Sequence, residues 1–328
     1  MLFYAIILLT LLILSSFRSN KSSEIIIHFF LFALIALKGE VGPDYHGYLY
    51  RYMNFDVSSA FKKAAGEYSW YLIEYFVNIN NWDYQFYTFL TALIAVFFLY
   101  KAQKKIKYLG FLVFIYQIII IQLGLSGMRQ FIATCIIIYT FSSYIFENRK
   151  SGFKFFLLTI LASSFHISAL TTFIFLPFLI NLKRNHFVII ILLASLGLFS
   201  EILTPNVEEV DARYFNGIKV SAGAWVRFFL TLSIIRLGMV KDNIKLLRLG
   251  YLIGFLGVLI GLFNTVLLHR FNYYFLPISC LILIYNYHQQ KINIYKMRLV
   301  YIFCIFYFFV WFLLSDYAVS YIPYETFL

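Results

Sequence analysis

Charge is what this sequence has least of. Of its 328 residues only 13% are Asp, Glu, Lys or Arg, about half the share of an ordinary soluble domain. With 62% hydrophobic residues and a mean hydropathy of +0.80, the chain has more apolar side chain than one water-soluble core of this length can bury. That excludes a soluble globular fold and a disordered chain. Cysteine is also scarce. Cys135, Cys280 and Cys304 lie in apolar runs without metal-ligand spacing, which excludes a disulfide scaffold and reads as small buried residues. The sequence has no Walker-type glycine loop, H-E-x-x-H zinc motif, G-x-S-x-G elbow or D-x-D acidic pair. No metal, nucleotide or other cofactor is therefore expected. There is no internal repeat and no low-complexity linker.

What is present is apolar length. A membrane-crossing helix needs about 20 mainly apolar residues. Runs that fit lie near 2–17, 24–38, 84–100, 108–123, 126–146, 153–165, 167–182, 186–202, 225–240, 247–267, 271–288 and 299–315. The expectation is an all-α, polytopic integral membrane protein of about 12 transmembrane helices, forming a single domain over residues 1–328. Residues 1–17 lack a basic n-region and an A-x-A-like cleavage site, so they read as a first membrane helix instead of a signal peptide. The short pair at 153–182 also fits a re-entrant hairpin.

The net charge of +12 does not point to nucleic acid, because the basic residues are dispersed in short loops. Lys101, Lys104, Lys105, Lys107, Arg149, Lys150, Lys183, Arg184, Lys241, Lys245, Arg248, Lys291 and Lys296 recur between alternate apolar runs, the pattern that orients membrane helices with basic loops inside. Both termini and the two longer connections, at about 39–83 and 203–224, are then expected outside. The first of these carries Tyr45, Tyr48, Tyr50, Tyr52, Tyr68, Trp70, Tyr71, Tyr75 and Trp82. These suit a membrane–water boundary, where aromatic belts are common, or a sugar-binding surface. A short interfacial helix is also compatible with this segment.

The basic residues on the outer side work against the orientation rule and need a reason. Arg129, Arg227 and Arg270 stand at the outer ends of apolar runs; Arg51 and Arg213 stand in the outer segments. Converging guanidinium forks would bind an anion such as a phosphate. Snorkelling, or pairing with carboxylates such as Asp44 or Glu67, is the ordinary alternative. His166, between two short apolar runs, can serve as general base, hydrogen-bond donor or proton relay, or can hold a helix turn. Asp44 follows Gly42 and Pro43, so it is expected to cap or open a segment, with a carboxylate base or an arginine partner as its functional reading.

Four segments at these positions resemble a known family. Gly-Pro-Asp-Tyr-His-Gly-Tyr at 42–48, Ser-Gly-Met-Arg-Gln-Phe-Ile-Ala at 126–133, Phe-His-Ile-Ser-Ala-Leu at 165–170 and His-Arg-Phe-Asn-Tyr-Tyr-Phe at 269–275 are similar, in order and spacing, to the EpsG-like branch of the Wzy-type polysaccharide polymerases. Residues 184–265 carry no such match, so Arg213 and Arg227 gain nothing from it. The resemblance implies a metal-independent glycosyltransferase of the bacterial inner membrane with its active site facing the periplasm or exterior. Such enzymes join undecaprenyl-diphosphate-linked oligosaccharide repeat units, donor and acceptor alike, into O-antigen, capsule or exopolysaccharide. A partner that regulates chain length is implied by the same analogy. Arg129 and Arg270 are then expected to stabilise the leaving diphosphate, His166 to act as base with Asp44 as alternative or orienter, and Tyr45, Tyr273 and Tyr274 to line the sugar or diphosphate site. A flippase or transporter of lipid-linked oligosaccharide, an O-antigen ligase and a membrane O-acyltransferase are the rival readings.

Overall fold

The computed structural model describes residues 1–16, 21–56, 67–147, 152–179 and 222–327. Among these the chain is helical throughout, apart from one isolated bridge between Lys38 and Thr326. The elements are α1 (Leu2–Ser16), α2 (Lys21–Ala36), α3 (Tyr45–Met53), α4 (Tyr68–Ile79), α5 (Tyr84–Ile106) and α6 (Gly110–Ile115). Then come α7 (Met128–Phe146), α8 (Gly152–Ser163), α9 (Leu176–Leu179), α10 (Ala222–Gly238), α11 (Ile244–Phe263), α12 (Thr265–His288) and α13 (Ile294–Leu314). Helix α6 continues as a π-helix over Tyr116–Leu123, and 3-10 helices cover Ile167–Phe175 and Asp316–Tyr321.

Five of these helices, α5, α7, α11, α12 and α13, are long and apolar enough to cross a membrane. Shorter apolar helices cover Leu2–Ser15, Gly110–Leu123 and Gly152–Ser163. The described residues therefore support fewer full-length spans than the twelve expected. The run at 167–182 is not a continuous α-helix: it is 3-10 from Ile167 to Phe175, and Leu176–Leu179 adds only one turn. With α8 at 12 residues, or about 18 Å at 1.5 Å per residue, the pair is closer to the short hairpin alternative. The expected break between 267 and 271 falls instead at Asn264, whose Oδ1 accepts from the Val266 and Leu267 amides and starts α12. The expected run at 186–202, and the loop at 203–224 with Arg213, lie outside the described residues up to position 221; α10 already begins at Ala222.

Helix α12 is buried along most of its length and packs on α10, α11, α7 and α6, as expected for a helix at the centre of a bundle. Two of its asparagines reach α10: Asn272 Nδ2 donates to the Ala224 carbonyl (3.0 Å) and Asn286 Nδ2 to the Gly238 carbonyl (2.8 Å). Such bonds between helices satisfy polar groups where water is scarce. Gly257 of α11 faces the Phe228 ring so closely that a Cβ would fall 1.9 Å from it, which lets α11 lie against α10. A second set, α2, α5 and α7, packs beside this core.

The bundle has two chemically different ends. At one, Lys105 pairs with Glu147, Lys291 Nζ lies 3.9 Å from Asp242 Oδ2, and His288 Nε2 lies 2.9 Å from the Ile106 carbonyl. At the other, the C-terminal segment folds back over the bundle. Tyr4 Oη donates to the Tyr321 carbonyl, Tyr321 Oη donates to the Gln122 carbonyl, and the Gly42 amide donates to the Ser320 carbonyl. Helices α5, α7 and α12 each run from this second end to the basic one.

Candidate functional site

The buried stretch Tyr116–Leu123 winds as a π-helix, a distortion often found near functional sites. It delivers Gln122 and Leu123 to the rim of a cavity of about 1080 Å³. A sharp turn at Gly42, packed on Leu125 and Ser126, leads into the lining residues Pro43 and Asp44. Its φ of +90° and the Leu125 carbonyl, 2.8 Å from where a Cβ would stand, admit only glycine. Asp44, Arg51, Arg129, His166, Arg227, His269, Arg270 and Tyr273 all line this one cavity. Residues from five separate stretches of sequence thus converge, and most come from helix ends at the same face of the bundle.

The arginines differ in how their charge is met. Arg129 Nη1 donates to Glu67 Oε2 at 2.6 Å. Arg51 meets Glu74 side-on, with Nε to Oε1 at 3.1 Å and Nη2 to Oε2 at 3.0 Å. The pairing alternative thus holds for these two, with Glu67 the partner foreseen for one. Burial pushes the Glu67 carboxyl up, but Arg129, His166 and the Ile167 amide outweigh it and hold it below its ordinary value. Burial dominates at Glu74 and keeps that carboxyl above its ordinary value despite Arg51. Breaking a buried pair of this kind typically costs about 3–5 kcal/mol, because the remaining charge is stranded.

Arg227 is buried in a neutral cage. Its Nε donates to Tyr307 Oη at 2.8 Å; its Nη1 reaches His269 Nε2 at 2.9 Å and Tyr273 Oη at 3.2 Å. Arg270 lines the same cavity, and its backbone carbonyl accepts from Gln130 Nε2 at 3.2 Å.

His166 precedes the 3-10 helix and caps it: Nδ1 accepts from the Ser168 amide at 3.3 Å and lies 2.7 Å from Ser168 Oγ. Glu67 Oε1 is 3.9 Å from the same nitrogen. Because Nδ1 accepts an N–H, the neutral ring must carry its proton on Nε2. Asp44 stands at the head of α3 without capping it. Its Oδ2 instead accepts from Ser126 Oγ at 2.8 Å, tying the 42–48 motif to the 126–133 motif.

Two expected site residues do not reach the cavity. Tyr45 is buried with its ring edge-on to Tyr84, centroids 5.5 Å apart. Tyr274 is fully buried in α12 and contacts Ser168 Oγ at 2.9 Å, so it stands behind His166. The side chains of α12 diverge by about 100° per residue, and Tyr273 and Tyr274 therefore point different ways. The aromatic-rich segment is also more than a boundary belt. Tyr45, Tyr48, Trp70, Tyr84 and Tyr87 form a buried ring cluster, and the Arg51 guanidinium lies over Tyr48, Trp70 and Tyr71 at 5.2–5.8 Å.

Gln122, Trp311, Asp316, Tyr317 and Tyr321 also line the cavity without a role read from the sequence, as do Ser126 and Gln130 of the 126–133 motif. Gln122 left a legible trace, a polar residue inside an apolar run; both its side-chain amide atoms are buried without a hydrogen-bond partner among the described residues. Trp311, Asp316, Tyr317 and Tyr321 depend on how the C-terminal segment folds back.

Long apolar helices around a cavity lined by arginine, histidine and tyrosine define a multi-pass membrane protein with a polar site at one end of its bundle. Comparison with family models places the chain more narrowly: it belongs to the EpsG family, a Wzy-like polymerase family, whose model matches residues 21–326. Comparisons with curated proteins and with solved structures return no significant match.

Proposed function

We propose that this protein is a metal-independent glycosyltransferase that polymerises undecaprenyl-diphosphate-linked repeat units into a surface polysaccharide, at the periplasmic or outer face of the bacterial plasma membrane. The observation that carries this reading is the single cavity in which Arg129, Arg227, Arg270, His166 and Asp44 converge. The remainder of the twelve-helix layout belongs to the same proposal.

In the proposed reaction the bond between the donor's anomeric carbon and its diphosphate oxygen breaks. The electron pair leaves with the lipid diphosphate, and a new bond forms from the acceptor hydroxyl oxygen to that carbon. Cationic groups fixed where the leaving charge develops lower the barrier, and Arg270 is assigned this role. Because Nδ1 of His166 is committed to Ser168, a neutral His166 offers Nε2–H. That suits hydrogen-bond donation to the departing diphosphate better than base catalysis. Asp44, held by Ser126 Oγ, then takes the acceptor's proton. Arg129 and Arg51, already paired, hold the cavity wall in position.

The flippase reading is less well supported, because transporter charges usually lie near mid-bilayer within internal repeats, whereas the lining here gathers at helix ends. The ligase reading shares the donor chemistry and differs in its acceptor. The test of the clamp is Arg270→Lys, which keeps the charge and loses the planar fork. Assayed in membranes with lipid-linked repeat units, it is expected to lower polymer yield at least about tenfold. Unchanged chain length and yield would remove Arg270 from the reaction.

A further inference from the structure

We infer that Arg227 is the cavity's principal anion receptor, taking a diphosphate as the counter-ion that none of the described residues supplies. This assignment rests on the polymerase reading for its natural ligand, but its geometry stands apart from that reading. Arg227 is only 5% exposed. Among the described residues no carboxylate comes within ion-pair distance of it, in contrast to Arg51 with Glu74 and Arg129 with Glu67. Its three hydrogen bonds all go to neutral groups, the hydroxyls of Tyr307 and Tyr273 and the Nε2 of His269.

A buried guanidinium cannot shed its charge by deprotonation, because it is too strong a base to lose its proton in a protein. Neutral partners take its Nε and Nη1 hydrogens but leave the charge unanswered. Asp44 and Asp316 line the same cavity, yet neither reaches Arg227. Its Nη2 donates to nothing among the described residues. The cage therefore occupies Nε and Nη1 and leaves Nη2 for a ligand.

His269 sharpens the selection. Its Nε2 accepts from Arg227, so the neutral ring carries its proton on Nδ1. Tyr273 Oη lies within hydrogen-bond distance of both His269 and Arg227. This triad holds the guanidinium plane still without neutralising it. Arg270, which follows His269 on α12, lines the same cavity, giving two cations of which Arg227 meets no carboxylate among the described residues. A diphosphate, with oxygens at two phosphorus atoms, matches that pair better than a monoanion does.

The test uses the full-length purified protein in detergent, with inorganic pyrophosphate and farnesyl diphosphate as probes and sulfate as comparison. Calorimetry should show saturable binding of both diphosphates and weaker binding of sulfate. Arg227→Gln should weaken diphosphate binding at least about tenfold, the loss expected for one charged hydrogen bond. His269→Glu brings a carboxylate to the guanidinium and should compete with the ligand. It should weaken binding similarly while the melting temperature holds or rises. If Arg227→Gln fails to fold, His269→Glu decides alone. Tighter binding of farnesyl diphosphate than of pyrophosphate identifies the lipid-linked form as the ligand; equal binding identifies the free anion, and either supports the receptor. Unchanged affinity for both probes in these variants overturns it. Loss of Arg227-dependent binding as an explanation, with polymerisation intact, would overturn this inference alone. Arg227-dependent binding in a protein whose deletion leaves the polymer unchanged would overturn the polymerase reading alone.

Discussion

His166→Asn is expected to lower polymer formation by about 10²–10³-fold, the usual loss when one fixed hydrogen-bond donor to developing charge is removed, while the protein stays folded. Asparagine places an acceptor oxygen near the position of Nδ1 and is a favoured helix-capping residue. The bond from the Ser168 amide, at 3.3 Å in the native chain, is thus preserved, and only the Nε2 edge is lost. His166→Gln makes the complementary change: it forfeits the cap and leaves an amide near the Nε2 position. If His166 acts by donating from Nε2, the glutamine variant retains more activity than the asparagine variant. The assay is polymer formed by membranes supplied with lipid-linked repeat units, with thermal melting as the check on folding. Full activity in the asparagine variant would confine His166 to its capping role.

The second large effect is expected at a residue that need not touch substrate. Glu67→Gln should destabilise the protein by about 2–3 kcal/mol. That lies above the 0–1 kcal/mol typical of exposed pairs and below the 3–5 kcal/mol of fully buried ones, because the Arg129 side chain keeps 31% exposure whereas Glu67 keeps 10%. Glutamine can still accept from the Ile167 amide, which Glu67 Oε1 receives at 3.2 Å. What disappears is the charge that answers Arg129 and lies 3.9 Å from His166 Nδ1. Adding Arg129→Gln to Glu67→Gln should recover most of the lost stability, since the stranded cation is then gone. Thermal melting of the four proteins in the double-mutant cycle measures this. No recovery in the double variant would show that the pair is not coupled as the geometry requires.

The class of fold was legible because it depends on composition. A chain this apolar has few soluble solutions, and a helix satisfies its own backbone polar groups in lipid. Helix existence was readable for the same reason, whereas boundaries were not. Asn264 ends α11 and starts α12 in the middle of an apolar stretch, and only its capping bonds reveal the break. The stretch after Ile167 is apolar and periodic enough to suggest a membrane helix, yet it winds as 3-10.

The candidate site divides along similar lines. Asp44 stood out because it follows the Gly42–Pro43 turn, and Arg129, His166 and Arg270 because an ionisable group beside an apolar run is costly without a purpose; all four line the cavity. Arg227 stood out for the same reason, but its distinguishing feature, a cage of neutral partners, is tertiary. So is the exclusion of Tyr45 and Tyr274, which share motifs with lining residues but point into packed aromatic and helical cores. Trp311, Asp316, Tyr317 and Tyr321 belong to the lining only because the C-terminal segment folds back to Gly42 and Gln122. No local pattern encodes that return.

The polymerase account is tested most directly by a gel profile of surface polysaccharide after clean deletion of the gene in its host. The account predicts that the long ladder disappears while lipid-linked or anchored material bearing a single repeat unit remains. A ladder of unchanged length would contradict polymerisation, and the absence of any repeat unit at the surface would shift the protein's role to export.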